Sequence, residues 1–122
     1  MSSVEVLTAG WRARRYSESG TAALDLVAPL VRLGEVESVL LHFDAAPSAG
    51  GTVAISVDAL GGAAYDTVLY SVDPGAEGAA VTDLFWQPDR AYHLLAGDAV
   101  RVTYANADGR TYGCQVTLKE AL

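Results

Sequence analysis

Along most of this chain, apolar and polar residues alternate in runs of four to eight, and each run is closed by a cluster of Asp, Gly, Pro or Asn. Such alternation is the mark of strands with one face buried and one wet. Regular spacing between turn signals points to a sandwich or barrel. The clearest run is Thr52 to Leu60, with Val53, Ile55, Val57 and Ala59 on one face and Ala54, Ser56 and Asp58 on the other. Ala99 to Tyr104 repeats the pattern, placing Val100, Val102 and Tyr104 inward and Arg101 and Thr103 outward.

Further strands are expected at Ala23–Val27, ending at Pro29 and resuming over Leu30–Leu33, and at Val36–Phe43, Tyr65–Val72, Val81–Trp86, Ala91–Leu95 and Thr111–Leu118. In Val36–Phe43, Val39, Leu41 and Phe43 share a face while Leu40 interrupts the other, so a central strand covered in part on both sides is expected. Asn106-Ala107-Asp108-Gly109 tolerates positive φ and predicts a hairpin joining Ala99–Tyr104 to Thr111–Leu118. No segment keeps a 3.6-residue period, and Lys119–Leu122 is too short for a helix of its own. Eight or nine strands fit two packed antiparallel sheets better than one wide sheet, so the fold class is an all-β antiparallel sandwich of jelly-roll or Greek-key type. The 122 residues suit one domain. Residues 1–20 are set apart as an N-terminal arm or edge strand, with a first strand expected at Val4–Leu7, and residues 21–122 as the sandwich.

Charge limits the partners. The formal net charge is −7, and no Lys or Arg lies between Arg32 and Arg90, a stretch with nine carboxylates. That surface repels phosphate backbones, which argues against nucleic acid as the main partner. The basic exception is Trp11-Arg12-Ala13-Arg14-Arg15-Tyr16. Trp, Tyr and Arg are enriched at interface hot spots, so Trp11, Arg12, Arg14, Arg15 and Tyr16 are candidate assembly contacts, the other reading being an edge strand with solvated arginines. No apolar run is long enough for a membrane span, and the start lacks the basic and apolar regions of a secretory signal.

Chemistry-bearing residues are present without a constellation. Cys114 is the only cysteine and shares an apolar row with Tyr112, Val116 and Leu118, which suits a small buried hydrophobe. His42 and His93 have no third ligand at a metal-binding spacing. Asp44, Asp58, Asp66, Asp73, Asp83, Asp98 and Asp108 fall at strand ends, where converging carboxylates can hold calcium. Asp is equally a turn residue that bonds nearby amides, and no EF-hand spacing is present. There is no Gly-x-Ser-x-Gly elbow, and the Gly50-Gly51 and Gly61-Gly62 loops lack the lysine or helix start of a phosphate cradle. No catalytic, metal or cofactor residue is therefore assigned, and no enzyme is expected. Trp86, Tyr65, Tyr70 and Tyr92 leave a glycan-stacking surface as the alternative to aromatic core or subunit contacts.

In the phrases Glu35–Pro47, Gly62–Pro74 and Gly97–Asn106, the chain resembles small β-sandwich proteins among tailed-bacteriophage structural proteins. The resemblance is one of style and strand order over residues 23–118. It implies a virion component assembled in the host cytoplasm, such as a head decoration, neck or tail protein. Its partners would be copies of itself and other virion proteins, with a surface glycan as the alternative ligand. Such a family has no catalytic residues to carry over, and the arginine-rich start departs from its acidic pattern.

Overall fold

The computed structural model describes residues 10–76 and 81–122. The expected strand at Val4–Leu7 lies outside them. Among the described residues nine strands form two antiparallel sheets: β1 (Trp11–Gly20), β2 (Leu24–Pro29), β3 (Gly34–Phe43), β4 (Val53–Asp58), β5 (Thr67–Val72), β6 (Asp83–Trp86), β7 (His93–Leu94), β8 (Ala99–Tyr104) and β9 (Tyr112–Ala121). The first sheet runs β1-β9-β3-β6, with the short β7 beside the start of β3, and the second runs β2-β8-β4-β5. The pairs nest. β1 takes β9, β2 takes β8, β3 takes β6 and β7, and β4 takes β5 across its own hairpin. A long antiparallel ribbon rolled on itself in this way is a jelly roll, the expected class.

The core lies between the two inner faces. Val53, Ile55, Val57, Val100, Val102, Tyr104, Cys114, Val116 and Leu118 are all buried there, as their period of two predicts. Val36 and Val39 both point inward although three residues apart, because a β-bulge falls between Val36 and Ser38. The same bulge leaves Leu40 on the outer face, 36% exposed, so β3 is central in its sheet but not covered on its second face there. One long edge is closed by Tyr16, whose hydroxyl donates to the Pro29 carbonyl at 2.8 Å. The opposite edge is closed by Tyr70 of β5 stacked on Trp86 of β6, ring centroids 6.0 Å apart.

Three local expectations are corrected. The expected β8–β9 hairpin does not form, because β8 and β9 belong to different sheets. Asn106 at φ 54° and Gly109 at φ 64° do turn the chain. However, the Asn106 amide donates to the Thr21 and Ala22 carbonyls at 3.1 and 3.0 Å, which carries the connection across to the β1–β2 corner. Leu30–Leu33 is a loop and does not continue β2. Its Leu30 pairs with the β7–β8 turn, the N–H donating to Asp98 O at 2.8 Å and the carbonyl accepting from Gly97 N at 2.9 Å. Tyr65 closes a 3-10 turn, Ala63–Tyr65, and is not part of β5. Trp11–Gly20 is an edge strand paired residue for residue with β9, which itself extends to Ala121. No helix among the described residues is long and apolar enough to cross a membrane.

Candidate functional site

Strand directions bring the start of β1, the end of β9 and the loops β2–β3, β4–β5 and β7–β8 to one end of the sandwich. Two carboxylates organise that end. Asp98 accepts the Leu60 N–H on Oδ1 at 3.0 Å and the Leu95 N–H on Oδ2 at 2.9 Å, so one side chain ties two loops together. Beside it Gly97 has φ 92°, and a Cβ there would lie 2.6 Å from the Leu60 side chain, so glycine meets both the backbone and the space requirement.

Glu120 is the second. It is fully buried at the end of β9, accepts the Arg14 Nε–H at 2.8 Å, and accepts the Val31 N–H at 2.9 Å on its other oxygen. Burial alone would raise its pKa. The Arg14 and Val31 hydrogen bonds and the arginine charges outweigh that, so the pKa is lowered and the carboxylate stays ionised. The next residues continue the clasp, with Ala121 N donating to Leu33 O at 2.8 Å and Leu122 N to Gly10 O at 2.6 Å.

With the Val31, Leu60 and Leu95 amides tied to these carboxylates, the loops turn their apolar side chains out. Val31, Leu33, Leu60, Tyr65, Leu95 and Leu122 are between 49% and 73% exposed, and all lie at this end. No large hydrophobic is exposed in the loops at the opposite end among the described residues. Tyr65, Tyr92 and Leu95 flank a groove of about 280 Å³ with Asp98 beside it. The surrounding charges are of both signs, Arg12, Arg32, Arg90, Asp58 and Asp89, all exposed. Covering six such side chains is worth roughly 1–2 kcal/mol each, on the order of 10 kcal/mol in all. Association costs a comparable ~4–15 kcal/mol, so one such contact binds weakly and a set of repeated contacts binds firmly.

The five candidate assembly residues sit on β1. Arg14 is committed to Glu120 and Tyr16 to Pro29. Arg15 reaches the Thr117 hydroxyl at 3.4 Å, and the Lys119 ammonium lies 5.3 Å from the centre of the Trp11 ring. Arg12 stands exposed at the apolar end. The histidines are kept apart: His42 lies at the end of β3 with its Nδ1 2.7 Å from Asp83, while His93 pairs with Glu35 at the start of the same strand. Among the strand-end aspartates, Asp66, Asp73, Asp98 and Asp108 accept backbone amides of their own or neighbouring turns. Among the described residues no three His, Cys, Asp or Glu side chains converge as a metal site. Cys114 is buried, and burial pushes its thiol up to about 12. Of the aromatic residues, Tyr70 and Trp86 stack on each other while Tyr65 and Tyr92 share the end groove.

Nothing in the sequence sets Asp98 apart from the other strand-end aspartates or marks Glu120 as buried. For the exposed leucines the signal in the sequence is weak: Leu33, Leu60 and Leu95 are each the last residue of an expected strand, directly before a glycine-containing turn, where a strand covers its side chains least.

No family model matches the chain, and no curated protein matches it. Among solved structures it is similar to a chain in the structure of infectious bursal disease virus Gx strain, at 8% sequence identity and a TM-score of 0.37. The match covers 90% of this chain and 32% of that one, so this chain spans about a third of the viral chain's length.

Proposed function

We propose that this protein is a non-enzymatic structural component of a virus particle, a head decoration, neck or tail protein of a tailed bacteriophage, working as multiple copies joined by protein contacts. Its jelly roll is an architecture used by capsid domains, lectins and cupins alike, so the fold does not choose among them. The observation that carries the reading is the one-sided apolar end built on Asp98 and Glu120. Exposed apolar surface rimmed by charge marks a protein interface. Mixed charge around it suits a contact between identical surfaces, as a twofold-symmetric interface requires. The sandwich then serves as a rigid body whose binding free energy is summed over many copies, and the phage assignment itself rests on the sequence resemblance.

Light scattering across a concentration series on a sizing column tests the assembly. The expected result is a mass that rises to a fixed multiple of the monomer, and a Leu60→Ser/Leu95→Ser variant that stays monomeric with an unchanged unfolding midpoint. A wild-type protein that remains monomeric at its highest soluble concentration, or a variant that assembles equally well, overturns it.

A further inference from the structure

We infer that the outer face of the first sheet carries a second site, a shallow groove for a neutral carbohydrate. Pairing across β1, β9, β3 and β6 sets two adjacent rows side by side: Ser17, Gln115, Leu40 and Phe85 in one, Ser19, Gly113, His42 and Asp83 in the other. Gly113 interrupts the surface. A Cβ there would meet nothing within 4 Å, and the gap opens a groove of about 400 Å³ lined by Ser17, Ser19, Leu40, His42, Gly113 and Gln115, together with Glu18, whose carboxylate is taken by the Tyr112 hydroxyl at 2.7 Å, and the buried Cys114. That size lies near the lower limit for small-molecule sites, suiting one or two sugar rings.

The lining matches a sugar's chemistry. A sugar ring presents hydroxyls at its rim and C–H groups on its faces, so its site needs neutral hydrogen-bonding groups beside an apolar platform. Ser17, Ser19 and Gln115 supply the first, being neutral groups that both donate and accept. Leu40 is partly exposed and Phe85, opposite it on β6, is 61% exposed, which supplies the second. His42 is held by Asp83 through Nδ1, leaving Nε2 for a hydroxyl. Thr82 steadies Asp83 in turn, its hydroxyl donating to the second carboxylate oxygen at 3.1 Å. The lining contains no Lys or Arg. In a chain of net charge −7, that disfavours phosphorylated or sialylated ligands.

The groove lies towards the opposite end of the sheet from the exposed leucines, so the inference stands or falls separately from the assembly reading. Saturation-transfer NMR tests it, with the methyl glycosides of glucose, galactose, mannose and N-acetylglucosamine as probes and the methyl glycoside of sialic acid as the charged comparison. At least one neutral glycoside is expected to receive saturation. Its affinity should fall at least ~tenfold in Gly113→Leu, which fills the groove from an unstrained surface position, and also in Gln115→Ala. Both variants should keep the wild-type unfolding midpoint. The inference is overturned if no neutral glycoside responds, if only the sialic acid responds, or if the response survives Gly113→Leu.

Discussion

Arg14 on the edge strand and Glu120 at the end of β9 form an ion pair in which one partner is one-third exposed and the other has no exposure at all. The asymmetry predicts unequal mutants. Arg14→Met strands a buried carboxylate and should cost more than removing the acid does, because the charge left behind is the one that has no access to water. Glu120→Gln keeps an oxygen for the Val31 amide and leaves Arg14 able to reach water, so a loss of about 1–2 kcal/mol is expected. Urea unfolding of the two variants checks the order, and equal losses would mean that the burial of Glu120 is not what matters.

The same carboxylate sets an acid limit. The folded pKa of Glu120 is below its ordinary value of 4.5, so its contribution is fully present above that value and is lost as pH falls through the folded pKa. Asp108 is also lowered, chiefly by the Ala49 and Ser48 amides that it accepts, and acts in the same direction. Unfolding midpoints measured from neutral pH down to about pH 2 should fall most steeply in the acid range below the ordinary carboxylate pKa. Glu120→Gln should flatten that fall.

Cys114 should resist thiol reagents in the folded protein. Burial raises its pKa to about 12, so almost no thiolate exists near neutrality, and Cys114 shares the buried core row of β9 with Val116 and Leu118. A colorimetric disulfide reagent at pH 8 should label it only after denaturant is added. Rapid labelling without denaturant would show that β9 opens readily.

Asn106 joins both geometric and hydrogen-bonding roles. Its backbone is at φ 54°, its amide nitrogen donates to the Thr21, Ala22 and Arg110 carbonyls, and its oxygen accepts the Arg110 N–H. Asn106→Gly keeps the conformation and loses the bonds, whereas Asn106→Ala loses both. Expected costs are about 2–3 kcal/mol for Gly and about 1 kcal/mol more for Ala, read from chemical denaturation.

These residues also mark where sequence was informative. The inward rows of β4, β8 and β9 follow from a two-residue period, because a half-buried strand leaves no other arrangement of Val53, Ile55 and Val57 or of Val100, Val102 and Tyr104. Partner choice is another matter. The Asn106–Gly109 turn reads the same whether the chain returns beside itself or crosses to the other sheet, and the deciding contact is an amide reaching residues more than eighty positions earlier. Glu120 is equally silent in sequence, since its role depends on Arg14 and on the Val31 amide, both remote. Six exposed hydrophobics scattered from Val31 to Leu122 become one surface only when the ribbon is rolled.

Asp98 tests how far that surface depends on its support. Replacing it with Ala removes the acceptor for both the Leu60 and Leu95 amides, while the backbone contacts of Leu30 with Asp98 and Gly97 can remain. Two exposed loop hydrogen bonds are worth about 0.5–1.5 kcal/mol each, so Asp98→Ala should lower stability by about 1–3 kcal/mol and leave the jelly roll folded. Faster amide hydrogen exchange at Leu60 and Leu95, with that of β8 and β9 nearly unchanged, is the expected local signature. Self-association should weaken too, because two leucines held in place before contact bind better than two that must be ordered on contact. A variant whose amides at Leu60 and Leu95 exchange as slowly as in the wild type would show that the loops are held by packing alone, with Asp98 contributing nothing to the shape of the end.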